Sequence, residues 1–157
     1  MINTAELNDW IINNDIKRLS IKYFWEYVKM YTIEVDDEYS NTLKRMFLKL
    51  ISLELYKASI STVFDLQQDI IEISLDIVYF GNSIGRFRIV YSVFAEYLDE
   101  SLDLDDINYI LRLTDVYEKT AEIVNKAINE GIDENVISKI TGLSYEQMSL
   151  LISNVDV

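Results

Sequence analysis

The chain has no cysteine, no histidine and no proline, and only four glycines in 157 residues. Without cysteine there is no disulfide framework, no thiolate nucleophile and no Cys-ligated zinc or iron–sulfur site. Without histidine the commonest general base, metal ligand and near-neutral pH switch is missing. Carboxylates, Lys, Tyr, Ser and Thr remain, so an all-carboxylate Mg²⁺ site is the main catalytic option left. With no proline, and glycine only at Gly81, Gly85, Gly131 and Gly142, helix breakers are scarce and long helices are the simplest expectation. No run approaches the roughly 18 apolar residues of a membrane span. Residues 1–14 carry Asp and Glu early and do not read as a signal peptide. The expected compartment is the cytoplasm.

Positive charge is also short. Lys and Arg number 14 against 27 Asp and Glu, a net charge of −13. The imbalance grows along the chain, from 7 basic and 8 acidic residues in 1–50 to 3 and 8 in 51–100 and 4 and 11 in 101–157. Such a surface repels phosphate backbones and favours basic partners. Half of the residues are apolar, enough for one core. The richness in Ile, Asn, Asp, Lys and Tyr is that of an AT-rich genome, as in a low-GC bacterium, its phage or another mobile element.

The expected fold is all-α, a compact bundle of about eight helices ending in a helix-turn-helix-like pair. It is read as one domain over 1–157, with a main bundle over 1–116 and a tri-helical subdomain over 117–157. The first helix, 4–13, is capped by Thr4 and puts Leu7, Trp10 and Ile11 on one face. The second, 16–34, is capped by Asp15. Leu19, Tyr23, Tyr27, Met30 and Tyr31 form its inner stripe, and Arg18, Lys22, Glu26 and Lys29 its outer ridge. The third, 38–58, turns Leu43, Met46, Phe47, Leu50 and Leu53 inward, with Glu54 at the core margin needing a partner such as Arg86 or a Tyr hydroxyl.

Residues 62–80 form the fourth helix. At about 100° per residue, Asp65, Gln68, Asp69, Glu72 and Asp76 fall in one narrow sector. Val63, Leu66, Ile70, Ile73, Ile77 and Phe80 fill the opposite face. A rival pattern runs through the same stretch. Ile71, Ile73, Leu75 and Ile77 alternate with Glu72, Ser74 and Asp76 at strand period, Gly81 to Gly85 could be a hairpin loop, and Phe87, Ile89 and Tyr91 could return as a second strand. The helix accounts for more residues, Asp65 and Asp69 included, and is preferred.

The fifth helix, 84–100, buries Phe87, Val90, Tyr91, Phe94 and Leu98. Arg86 and Arg88 at its start oppose the helix dipole, which suggests a salt bridge or an anion site. The sixth, 104–130, begins among Asp103, Asp105 and Asp106 and ends at Gly131. Tyr23, Tyr27, Tyr31, Tyr91, Tyr97 and Tyr109 are expected at core edges with wet hydroxyls.

The last two helices, 134–141 and 145–153, have the spacing of a helix-turn-helix. Asp133 caps the first, Ser138 is small where the helices meet, Gly142 takes the turn, and Ser144 with Gln147 makes a capping box. Ile137, Leu143, Met148 and Leu151 lock the pair. Residues 121–152, with Asn129-Glu130-Gly131-Ile132-Asp133 and Ile140-Thr141-Gly142-Leu143-Ser144, resemble the C-terminal segment of Rpn-type recombination-promoting nucleases of the PD-(D/E)XK class. The resemblance implies a shared helical tail only. The catalytic Asp and Glu-x-Lys of that class are not found upstream, where Glu54 and Lys57 stand three apart on a helix-like stretch. A recognition helix would present Arg, Lys, Asn or Gln to bases. Residues 145–153 offer Gln147 alone, beside Glu146, and Lys139 is the one basic residue from 127 to 157.

The expectation is therefore a non-catalytic, acidic protein–protein interaction protein of bacterial or phage origin. An inhibitor of immunity, antitoxin or anti-defence type would fit. No catalytic residue, metal site or cofactor is assigned. The partner is a protein with a basic surface, met by the ridge of Asp65, Asp69, Glu72 and Asp76. Neither nucleic acid nor membrane is expected as a partner, and a homodimer is left open. The alternatives are a regulator binding through Ser138, Gly142, Ser144 and Gln147, or an enzyme using carboxylates and a metal.

Overall fold

The computed structural model describes residues 4–63 and 68–152. It overturns the all-α bundle. The described residues form six α-helices and a four-stranded antiparallel sheet. The order is α1 (Thr4–Asn13), α2 (Ile16–Glu34), α3 (Glu38–Arg45), β1 (Ile51–Val63), β2 (Gln68–Tyr79), β3 (Asn82–Ser92), β4 (Tyr97–Leu104), α4 (Ile107–Asn129), α5 (Glu134–Thr141) and α6 (Tyr145–Ile152). A 3₁₀ turn, Leu48–Leu50, leads into β1. The chain divides into two compact units, one of residues 1–36 and 52–105, the other of 37–51 and 106–157.

In the first unit the strands lie in sequence order, β1-β2-β3-β4. The preferred fourth and fifth helices are thus a β-hairpin, and the alternation weighed against them is the pattern that folds. Five of the twelve residues of β2 are β-branched: Ile70, Ile71, Ile73, Ile77 and Val78. Such side chains lose rotamer freedom in a helix and pack well on a pleated surface. The pleat buries Ile71, Ile73, Leu75, Ile77 and Tyr79 and leaves Glu72, Ser74 and Asp76 half-exposed. Ile71 pairs with Tyr91, Ile73 with Ile89 and Leu75 with Phe87. Leu102 and Leu104 of β4 continue the same face opposite Phe87 and Gly85.

The hairpin turns on two residues, Phe80 and Gly81, both at positive φ (50° and 77°). That is the type I′ pattern, whose twist matches the flanking strands. A register shift at Ile77/Val78 makes Ile84 the extra residue of a bulge, beside Gly85. A Cβ on Gly85 would lie 2.2 Å from the Asp103 carbonyl oxygen and 2.9 Å from Leu104 Cα, so only glycine lets β4 approach.

The inner face packs on α1 and α2. Phe24 and Tyr27 meet Phe87 at ring-centroid distances of 5.3 and 5.4 Å, and Trp10 meets Tyr91 edge-on at 6.1 Å. Tyr91 hydrogen-bonds Ser20 at 3.0 Å in the interior. Burial pushes the Tyr91 phenol up to about 12. The buried stripe of α2 is Ile16, Ser20, Phe24 and Val28, one position away from the expected stripe, and Met30 is exposed. Arg18, Lys22, Glu26 and Lys29 are exposed as the sequence suggests. Asp15 does not cap α2; it sits at φ 50° and pairs with Arg18. Phe94, expected in the core, stands 81% exposed in the β3–β4 turn, and Leu98 is also exposed.

In the second unit α3 ends at Arg45, far short of residue 58. Asp37 caps it by accepting from the Ser40 N–H at 2.8 Å, and Met46 turns extended. The apolar spacing from Leu43 to Leu50 is helical, but Ile51, Leu53 and Leu55 then alternate with Ser52 and Glu54, and the chain becomes β1. Asp106 caps α4 through the Tyr109 N–H at 3.0 Å. Arg45 pairs with Asp115 at 2.6 Å, joining α3 to α4. Ile110, Thr114, Ala121 and Val124 form the buried stripe of α4. Among the described residues no helix is long and apolar enough to cross a membrane.

Candidate functional site

Pleating puts one set of side chains from three strands on the sheet's outer face. Glu72, Ser74 and Asp76 come from β2, Arg86 and Arg88 from β3, and Asp99, Ser101 and Asp103 from β4, by direct cross-strand pairing. Tyr56 of β1 joins them, since the Arg86 guanidinium stacks over its ring at 4.0 Å. Arg88 donates to Glu72 Oε2 at 3.4 Å and to Ser101 Oγ at 3.2 Å. Ser83 donates to Asp76 Oδ1 at 2.8 Å. Ser74, Arg86, Arg88, Ser101 and Asp103 line a hollow of about 320 Å³. Four carboxylates thus surround two arginines on one face. Arg86 and Arg88 sit in mid-strand rather than at a helix start, with Arg88 in the salt bridge anticipated for the pair.

The single helical ridge does not form, because Asp69, Glu72 and Asp76 lie on a strand. Asp65, like Leu66, is outside the described residues. Asp69 has the opposite parity to Glu72 and Asp76, and accepts from Thr62 Oγ1 at 2.7 Å. Glu72 and Asp76 stay on one face, but four strand residues span about 13 Å instead of about 6 Å on a helix. Glu54 is exposed on β1.

The densest acidic stretch is elsewhere. Between residues 96 and 106 stand Glu96, Asp99, Glu100, Asp103, Asp105 and Asp106, with no Lys or Arg. Most of it is β4, an edge of the sheet. Burial pushes the Glu100 carboxyl up, aided by the charges of Asp99 and Glu26; a hydrogen bond with Tyr97 opposes the shift. Burial and the neighbouring Glu100 also raise the Tyr97 phenol. The sequence reading assigned these acids to helix ends and missed Tyr56 and Ser101. The signal that finds them is the register of β3 against its neighbours, which needs the pairing and not one strand alone.

The helix-turn-helix-like residues lie in the second unit. Ser138 Oγ donates to the Leu143 carbonyl at 2.7 Å, and Gly142 ends α5 at φ 72°. The Ser144 N–H donates to Gln147 Oε1 at 2.9 Å, and the Gln147 N–H to Ser144 Oγ at 3.1 Å. Asp133 caps α5 through the Asn135 N–H at 2.9 Å. Ile137, Leu143, Met148 and Leu151 are buried. The polar groups that recommended this segment are engaged in shaping its own turn. Ile128, Glu134, Tyr145, Met148, Ser149 and Ile152 border a groove of about 480 Å³. On α5, Val136 and Ile140 stay exposed.

Among the described residues no group of three or more carboxylates gathers as a metal-ligand set. No protein-family model, curated protein or solved structure matches the chain.

Proposed function

We propose that this chain is a non-catalytic interaction protein that docks a partner with a basic surface against the outer face and β4 edge of its sheet. The observation that carries the reading is the set of acids on β4, Asp99, Glu100 and Asp103, placed along a sheet edge and continued across the face by Glu72 and Asp76. An edge strand offers unpaired backbone donors and acceptors, and its carboxylates select a basic segment against them. The net charge of −13 adds a long-range field that steers such a partner to the face. Nucleic acid meets like charge here and is not a partner of this surface. An inhibitor that covers a basic surface, as an immunity, antitoxin or anti-defence protein does, is the class such a face suits.

The test is to capture the partner from the native host at low salt and measure its association rate with variants. Asp99→Lys with Asp103→Lys should slow association about tenfold at low salt and flatten its salt dependence. Glu72→Lys with Asp76→Lys should act the same way more weakly, because both carboxylates already hold internal partners. An unchanged rate for the β4 pair at low salt would remove the proposal.

A further inference from the structure

The sheet has a second edge of different character. β1 runs 13 residues, Ile51 to Val63, at the end of the strand order. Glu54, Leu55, Tyr56 and Lys57 are exposed in succession, so both faces of the strand are open there; Leu55 is 39% and Tyr56 56% exposed. Natural edges are blunted by proline, shortness, bulges or charge. β4 has three of these: eight residues, a register shift against β3 at Val90/Tyr91, and Asp99, Glu100 and Asp103 with no base. β1 is long, has no proline, and carries one acid and one base.

We infer that β1 is a self-association edge, where a second copy of this chain adds its own β1 antiparallel to make one continuous eight-stranded sheet. The occupant follows from charge. Two chains at −13 repel nearly everywhere, and β1 is a neutral segment in which Glu54 and Lys57 cancel. A two-fold axis perpendicular to the sheet sets one residue opposite itself and pairs the others with residues of equal parity. Centres at Glu54 or Lys57 would oppose like charges. A centre at Leu55 sets Leu55 on its own copy, Glu54 against Tyr56 and Leu53 against Lys57. A centre at Tyr56 sets Tyr56 on its own copy, Glu54 against Ala58 and Leu55 against Lys57. Both remove exposed apolar surface from water and bring no like charges together. The two β4 edges end up at opposite ends of the joined sheet, free for the basic partner. The inference stands whether or not that partner exists, since it concerns the other edge.

The absence of cysteine makes the test clean, because each introduced thiol is the only one present. Light scattering of the full chain at high micromolar concentration should give about twice its 18.4 kDa mass. Single substitutions to Cys at positions 52 to 60 should then form an intermolecular disulfide most readily at Leu55 or Tyr56, falling off on either side. Antiparallel partners sit about 4.5–5.5 Å apart in Cα, inside the reach of a disulfide. Leu55→Lys should weaken the dimer at least about tenfold with an unchanged circular dichroism spectrum, since it sets like charges together in either register, against its own copy or against Lys57. A monomeric mass overturns the inference. So does a dimer whose cross-linking is flat across β1 or peaks anywhere but at position 55 or 56. The cysteine scan decides the matter even if Leu55→Lys fails to fold.

Discussion

The β2–β3 hairpin and the α5–α6 pair are both held at a turn by a glycine, yet they draw stability from different distances along the chain. In the helix pair the defining bonds span two to five residues: Ser138 to Leu143, Ser144 to Gln147, Asp133 to Asn135. In the hairpin the decisive contacts are remote. Gly85 meets Asp103, Phe87 meets Phe24, and Tyr91 meets Ser20. Helix termini can be completed by neighbours in sequence, whereas a strand's side chains need partners from other elements. Damage should therefore stay local in the helix pair and spread through the sheet.

Gly85 of β3 and Gly142 of the helix pair give the sharpest break. Gly85→Ala puts a methyl into the β4 backbone at φ +156°, with the Asp103 carbonyl oxygen 2.2 Å away. Overpacking and backbone strain, each about 1–3 kcal/mol, add here to roughly 3–5 kcal/mol. Gly142→Ala meets nothing within 4 Å, so only its φ of +72° opposes the change. That should cost about 1 kcal/mol. Urea unfolding of both variants measures the difference. Equal losses would mean that β4 does not need the close approach at Gly85.

Next in size are two phenylalanines seven residues apart. Phe87→Ala empties a fully buried site between Phe24 and Tyr27 and should cost about 3–5 kcal/mol. Phe94→Ala removes a ring already 81% exposed and should change stability by less than about 0.5 kcal/mol. Thermal melts of the pair check this. A large loss at Phe94 would place that ring against something in solution.

These distances also explain what the sequence made legible. The Asp133 cap of α5, the αL residue at Gly142 and the Ser144–Gln147 box are written in residues that touch one another, and they read directly. The amphipathic register of α2 was off by one because Tyr23, Tyr27 and Tyr31 are large enough to look like core while Ser20 looks polar. Ser20 is buried because Tyr91, 71 residues away, supplies its hydrogen bond. In β2 both periods are present, and the helical one accounts for more residues of the sequence, Asp65 and Asp69 included. The β-branched density from Ile70 to Val78 was the local sign of a strand. Helical spacing makes Glu72 and Asp76 look like one patch. Their actual neighbours, Arg88 and Ser83, follow from pairing that no single segment encodes.

Two hydroxyl deletions probe the contrast at smaller scale. Tyr91→Phe leaves Ser20 without its partner inside the core and should cost about 1–3 kcal/mol. Ser138→Ala loses a half-buried bond to the Leu143 carbonyl, worth about 0.5–1.5 kcal/mol. Hydrogen exchange separates their reach. Tyr91→Phe should speed exchange in both β3 and α2, while Ser138→Ala should affect α5 and α6 alone. Matching spread from both variants would dissolve the distinction between local and remote stabilisation.

The smallest effect concerns Glu100, half-buried on the inner side of β4 opposite Ile89. Its carboxyl lies above the ordinary glutamate value because burial, then Asp99 and Glu26, disfavour the charge. The folded chain thus holds this proton more tightly than the unfolded chain does. The stability it contributes is present in full below the ordinary glutamate range and is lost as pH rises through the raised folded value. Glu100→Gln imitates the protonated form and can keep the hydrogen bond with Tyr97. At neutral pH the Gln variant should be the more stable of the two, by less than about 1 kcal/mol because the group is largely solvated. Near pH 4 the difference should shrink towards zero, as the native carboxyl takes up its proton. Paired denaturant titrations at the two pH values decide it. A gap of equal size at both would mean that the fold does not disfavour the Glu100 charge, and that β4 carries its acids at no cost to the sheet.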